Sequence, residues 1–112
     1  MTQPSRESSE LDGVHLAADL VALQPGAVVS RTLVKKEAGT VTAFAFGQGE
    51  GLSEHTAPFD ALVLGLEGEA EVLIAGLPHP LGAGQILRLP AGRPHALKAR
   101  SPFKMLLVMI RA

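Results

Sequence analysis

The residues with the clearest chemical potential stand in one run near the C-terminal end. In GQILRLPAGRPHALKA, Gly84, Pro90, Gly92 and His95 follow the spacing Gly, five residues, Pro, one residue, Gly, two residues, His. Gly84 can end a turn where φ goes positive. Gln85 to Leu89 reads as a short apolar strand, and Pro90-Ala91-Gly92 breaks the ladder and turns the chain. Beyond that turn His95, Leu97 and Ala99 alternate with Ala96, Lys98 and Arg100. Period two sets the imidazole on the face of Leu97 and the two cations on the opposite face. An imidazole directed into an apolar interior can donate, accept or coordinate, because it titrates near neutral pH. The chain has 4 His and no Cys, so disulfides, zinc–thiolate sites and a cysteine nucleophile are excluded. Ser30 and Ser53 have no His–Asp constellation that the sequence can place, and no Gly-rich phosphate loop precedes a helix.

The elements that would position such a site are strands. AVVSRTLV, TVTAFAF, ALVLGL, AEVLIA, QILRLP, HALKA and FKMLLVMI follow one another at sandwich or barrel spacing, with Gly and Pro at the joints. From Gly68 to Ile74 the apolar residues share one face and Glu67, Glu69 and Glu71 the other, as in an antiparallel strand with one wet side. In the last strand both faces are apolar, Met105, Leu107 and Met109 opposing Leu106, Val108 and Ile110. Both must be covered, and a second subunit is the expected cover, giving a homodimer joined partly through sheet edges near the N-terminal strands. VHLAADLVAL fits a helical turn or a strand. LPHPL, with His79 between two prolines, reads as a hairpin, and His79 and His15 as packing or surface residues.

At 112 residues the chain makes one domain, which buries about two-thirds of its unfolded surface. The expected organisation is a flexible arm over residues 1–12 and a single barrel domain over 13–112. MTQPSRESSE lacks the apolar region of a signal peptide, and no apolar run approaches a membrane span of roughly 20 residues. The expectation is therefore a cytoplasmic protein without a membrane partner. A net charge of -1 gives no reason to expect nucleic acid either. From Glu37 to Leu87 every charge is acidic, and from Arg88 to Arg111 every one is basic. Cross-strand pairs account for this, for example Glu69 or Glu71 facing Arg88.

The Gly84–His95 spacing resembles the second signature motif of the cupin superfamily, with Ala99 where that motif ends in Asn. The first cupin motif reads Gly, five residues, His, one residue, His, three or four residues, Glu, six residues, Gly. Counted back from Gly68, His55 takes the first His position, Ala57 the second and Ala61 the Glu position, with Gly49 available as the opening glycine. The resemblance spans roughly residues 27 to 110, and SEHTAPFDA, LEGEAEVLIAG and FKMLLVMI are similar to short stand-alone cupins without an assigned activity. It implies an all-β, RmlC-like jelly-roll barrel of two antiparallel sheets with little or no helix.

In that family the motif side chains converge inside the barrel on a divalent metal such as Mn, Fe, Ni, Zn or Cu. Carried over, the resemblance leaves His55 and His95 as the pair that would hold one, with water filling the rest of a set that in stable sites has three or four protein ligands. Asp60, beside the Glu position, is a weaker candidate: parity turns it outward unless Pro58 bends the strand. Without a metal, the two imidazoles can still act as proton donor and acceptor. Val63, Val72, Ile74, Leu87, Leu97, Met105 and Leu107 are the expected lining of a pocket for a small, mostly apolar molecule. Three functions stay open: a small-molecule-binding barrel, a metal-assisted dioxygenase- or isomerase-like enzyme, and a degenerate cupin with a structural or interaction role.

Overall fold

The computed structural model describes residues 11–111, so most of the expected N-terminal arm lies outside the described residues. Among the described residues, nine strands follow a 3-10 turn at Ala17–Asp19: β1 (Val28–Lys36), β2 (Gly39–Phe46), β3 (Gly51–His55), β4 (Asp60–Glu67), β5 (Glu69–Ile74), β6 (Leu77–Gly82), β7 (Ile86–Leu89), β8 (His95–Ala99) and β9 (Phe103–Ile110). They form two antiparallel sheets, ordered β1-β2-β9-β4-β7 and β3-β8-β5-β6, packed as a jelly roll. No described helix is long and apolar enough to cross a membrane.

Strand alternation decides which side chains meet. Across the five-stranded sheet, Thr32, Thr42, Leu107, Val63 and Leu87 form one row in register, facing the other sheet. One residue along each strand, Val34, Val41, Val108 and Leu62 form a row on the outer face. Between the sheets, Phe46, Phe103, Met105, Val63 and Val72 are fully buried. Each contributes roughly 1.5–3 kcal/mol by leaving water, whereas an exposed ion pair contributes about 0–1. Apolar packing between the sheets therefore holds the barrel together.

The outer face of the five-stranded sheet carries a second cluster. Leu20 and Val21, just after the 3-10 turn, pack with Leu33, Ala43 and Ala45. The two alanines of β2 are fully buried, their small side chains letting the N-terminal segment lie close. Lys104 Nζ donates to the Ala18 carbonyl at 2.6 Å and Arg31 to that of Leu20 at 3.3 Å, fixing the segment in place. Part of the face expected to need a second subunit is thus covered by the chain itself.

Two strands differ from what the sequence leads one to expect. LPHPLG is not a hairpin but β6, at the edge of the four-stranded sheet. Proline lacks an N–H, and an edge strand has one unpaired side where that loss is tolerated. GLSEH, too polar to read as a strand, is β3 at the opposite edge. The charge pairing also differs from expectation. Arg88 lies on β7 beside β4 and faces Asp60 at 3.7 Å, while Glu71 binds Arg100 at 2.8 Å and Glu67 faces Lys104 at 3.7 Å.

Candidate functional site

His55 ends β3 and His95 begins β8, and the two are register partners across the pair. That pairing depends on an irregularity. Two residues lie between Leu52 and His55, but only one between their partners Leu97 and His95. In a regular strand His55 would point away from Leu52. A bulge inserts one residue and re-aims the imidazole. The β7–β8 turn that delivers His95 is clamped on the other side. Gly92 N–H donates to the Ala57 carbonyl, Ala91 N–H to Asp60 Oδ1 and Ala75 N–H to the Pro94 carbonyl, each at 2.8 Å.

The rings meet edge to face, with centroids 4.3 Å apart and planes at 72°. Their Nε2 atoms are 3.1 Å apart. His55 Nδ1 lies 3.0 Å from the Ser53 carbonyl oxygen, and His95 Nδ1 3.3 Å from that of Arg93. His55 is exposed and His95 half-buried, so the pair stands at the mouth of the barrel rather than deep inside it. Burial holds the His95 imidazole below the ordinary histidine range. The Arg93 carbonyl pulls it upward and His55 pushes it further down.

Behind the pair lies a cavity of about 50 Å³. A single water needs roughly 10–15 Å³, so there is room for several waters or a small organic molecule. Of the seven expected lining residues, Val63, Val72, Leu97, Met105 and Leu107 are there, but Ile74 and Leu87 are not. Ile74 is buried in the core, and Leu87 packs against it one pleat deeper than Leu89, which lines the cavity in its place. Leu52, Ala57, Phe59, Ala61 and Met109 also line it. Leu52 sits on β3, too polar to read as a strand, while Ala57, Phe59 and Ala61 share one parity along the chain, opposite to Asp60, and Met109 shares a face with Met105 and Leu107.

Asp60 does not line the cavity. Its carboxylate faces Arg88 and accepts the Ala91 N–H, so it braces the turn that carries His95. His79 sits half-buried on β6 opposite Val72, and His15 is exposed with its ring nitrogen 2.8 Å from the Asp12 carbonyl oxygen. Neither joins the pair.

The residues present do not fit a resident divalent metal. Two neutral imidazoles leave the charge of such an ion uncompensated and supply fewer than the usual three or four protein ligands. Ala57 and Ala61 present only methyl groups to the cavity, and the Asp60 carboxylate accepts the Ala91 N–H outside it. Among the described residues no three His, Cys, Asp or Glu side chains come together as a metal-binding group.

Two antiparallel sheets closed around an apolar cavity with two histidines at its mouth define a small β-barrel. The chain belongs to the cupin family, whose cupin domain model matches residues 42–110. It is similar to a conserved protein of unknown function from Streptococcus pyogenes, with 35% identity, a TM-score of 0.87, and 92% of this chain and 90% of that one covered. A cupin superfamily protein from Desulfitobacterium hafniense is 29% identical with a TM-score of 0.83, over 90% of this chain and 92% of the other. A cupin 2 conserved barrel domain protein from Leptotrichia buccalis is 40% identical with a TM-score of 0.81, over 84% of this chain and 46% of the other. No curated protein matches the sequence.

Proposed function

We propose that this cupin barrel binds a small, mostly apolar molecule in the cavity behind His55 and His95. One observation carries this reading: two imidazoles meet at 3.1 Å across the mouth of a cavity otherwise lined by apolar side chains. Apolar walls supply affinity, and a few convergent polar atoms supply orientation. A panel of small apolar compounds, screened by thermal unfolding with and without chelator, tests the proposal. A compound at 100 times its Kd stabilises the fold by about 2.7 kcal/mol, a shift of several degrees. Stabilisation should be insensitive to chelator and lost in Val72→Phe, which fills the cavity. Stabilisation undiminished in a folded Val72→Phe protein would place the binding elsewhere.

We further infer that the chain works as a homodimer. Val34, Ile86 and Ile110 are 38, 62 and 45% exposed on or beside the outer face of the five-stranded sheet, and Val14 and Leu16, before the 3-10 turn, are 101 and 74% exposed. A second copy laid on this face would cover them. Light scattering should give twice the 11.7 kDa chain mass, and Ile86→Lys should reduce it to one chain.

A further inference from the structure

The cavity wall carries donor atoms beyond the two imidazoles. Among the described residues, the other lining side chains with a lone pair to give are Met105 and Met109, both thioethers on β9. Register places Met109. It is the cross-strand partner of Ala61 on β4, and directly opposed side chains stand about 4.5–5.5 Å apart at Cβ on one face of a sheet. Ala61 also lines the cavity and is only a methyl group, so it leaves room beside the long, unbranched thioether. The cavity, about 50 Å³, has the volume of a sphere about 4.6 Å across, so a single ion can bridge donors on its wall. Met109 is half-buried, whereas Met105 is 1% exposed and belongs to the core.

The imidazoles are set as a pair of ligands would be. Each turns its Nδ1 toward a backbone carbonyl, that of Ser53 at 3.0 Å and that of Arg93 at 3.3 Å, the kind of contact that orients metal-bound histidines. Both Nε2 atoms then point at one spot and lie 3.1 Å apart. Two nitrogens about 2.0–2.1 Å from a common ion, at that separation, subtend about 100°. That angle leaves a side open for a third ligand.

We propose that His55, His95 and Met109 form a three-coordinate site for copper(I). Ligand chemistry selects the ion, because thioether sulfur is soft and favours copper(I), while imidazole also suits copper. Charge points the same way. Among the described residues no carboxylate lines the cavity, so a cation there keeps its charge. The cost of desolvating an ion rises with the square of its charge, which makes it about a quarter as large for a monovalent ion as for a divalent one of equal size. The set that does not fit a divalent ion thus fits a monovalent one that takes sulfur. Binding is ligand exchange without a change of oxidation state: copper arrives as copper(I), three coordinate bonds form and its previous ligands leave. This goes beyond the small-molecule reading, which concerns the cavity behind the rings.

The experiment is anaerobic titration of the chelator-treated full chain with copper(I) in competition with bicinchoninate. One equivalent per chain should bind, and X-ray absorption at the copper edge should show imidazole nitrogen and one sulfur. Met109→Leu keeps the bulk, a swap that usually costs under about 1.5 kcal/mol. Folded by circular dichroism, it should lose the sulfur signal and bind copper(I) at least about tenfold more weakly, since losing even a residue that orients a ligand costs that much. Met105→Leu should bind like the parent, and the double variant His55→Gln/His95→Gln should retain no copper. Equal affinity in folded Met109→Leu would overturn the proposal, as would loss of the sulfur signal in Met105→Leu instead. The parent's spectrum decides alone if Met109→Leu does not fold, because absence of sulfur from it removes the site. No copper(I) held against bicinchoninate, or copper held equally by the double histidine variant, would overturn it too. Retention of one equivalent of zinc after the same treatment would overturn the choice of a soft monovalent ion. The thermal screen of apolar compounds uses copper-free protein, so the two readings fail separately.

Discussion

Gly68 is the residue whose substitution tests most directly how the sequence closes this barrel. It is the only residue between β4 in one sheet and β5 in the other, and its φ is 78°. An alanine there meets two separate costs. The left-handed conformation costs an L-residue roughly 1–2 kcal/mol. The new Cβ would also run into the backbone carbonyl of Pro102, which cannot rotate aside as a side chain could. The segment is tied down, with Glu69 N–H donating to Ser101 Oγ at 2.9 Å and Arg100 N–H to the Glu69 carbonyl at 2.9 Å. Relieving the clash means moving the β4–β5 joint away from the β8–β9 loop, at about 1–3 kcal/mol by analogy with overpacked cores. Gly68→Ala should therefore lose roughly 2–5 kcal/mol. Gly49 provides the control, with a φ of 85° and nothing within 4 Å of the place an added methyl would take, so Gly49→Ala should lose only the conformational part. Urea unfolding of the two variants, at equal m-values, measures the difference. Equal losses, within about 0.5 kcal/mol, would refute the idea that the Pro102 carbonyl makes this position glycine-only.

Other expectations follow from the site. His95 is held below its ordinary range by burial, so between its folded pKa and the unfolded value near 6.5 the unfolded chain binds more protons. Stability should be full above about pH 6.5 and decline as the pH falls through and below that value, and thermal unfolding of His95→Gln should show a shallower decline. Met105 is 1% exposed and lines the cavity. Met105→Ala should cost about 2–5 kcal/mol in urea and shift the preferred compound in a binding series toward larger apolar bodies. Asp60→Ala removes the acceptor for the Ala91 N–H, an exposed hydrogen bond worth about 0.5–1.5 kcal/mol. It should leave the protein folded but weaken binding of any compound that stabilises the parent in the thermal screen, through the turn that presents His95, whereas Asp60→Asn, which keeps the acceptor, should bind like the parent.

How far the sequence can be read depends on whether a feature is local. The spacing from Gly84 to His95 encodes a turn, a strand, a second turn and an imidazole within a dozen residues, and each acts through its immediate neighbours. The alternation in β5 is equally local, and the even-numbered residues from Ala70 to Ile74 are buried as their spacing requires. β6 is hidden because Pro78 and Pro80 signal a turn to any local rule, while tolerance of proline is a property of the sheet edge. The partner of Arg88 is hidden for a related reason. Which strand lies beside β7 is set by topology, and β4 brings Asp60, farther away in sequence, rather than Glu69 or Glu71.

The two imidazoles show the same division. The motifs locate both positions, and parity separates Ala57 and Ala61, which line the cavity, from Asp60, which does not. What the motifs do not convey is the contact between the two rings, because that depends on the bulge after Leu52 and on the carbonyls of Ser53 and Arg93, which face the two Nδ1 atoms. A carboxylate at residue 61 would offset positive charge at the pair and favour a cation there. An alanine at residue 61 removes that offset and leaves two imidazoles beside a cavity otherwise lined by apolar side chains. Such a lining is the one expected where apolar walls supply affinity and a few convergent polar atoms supply orientation.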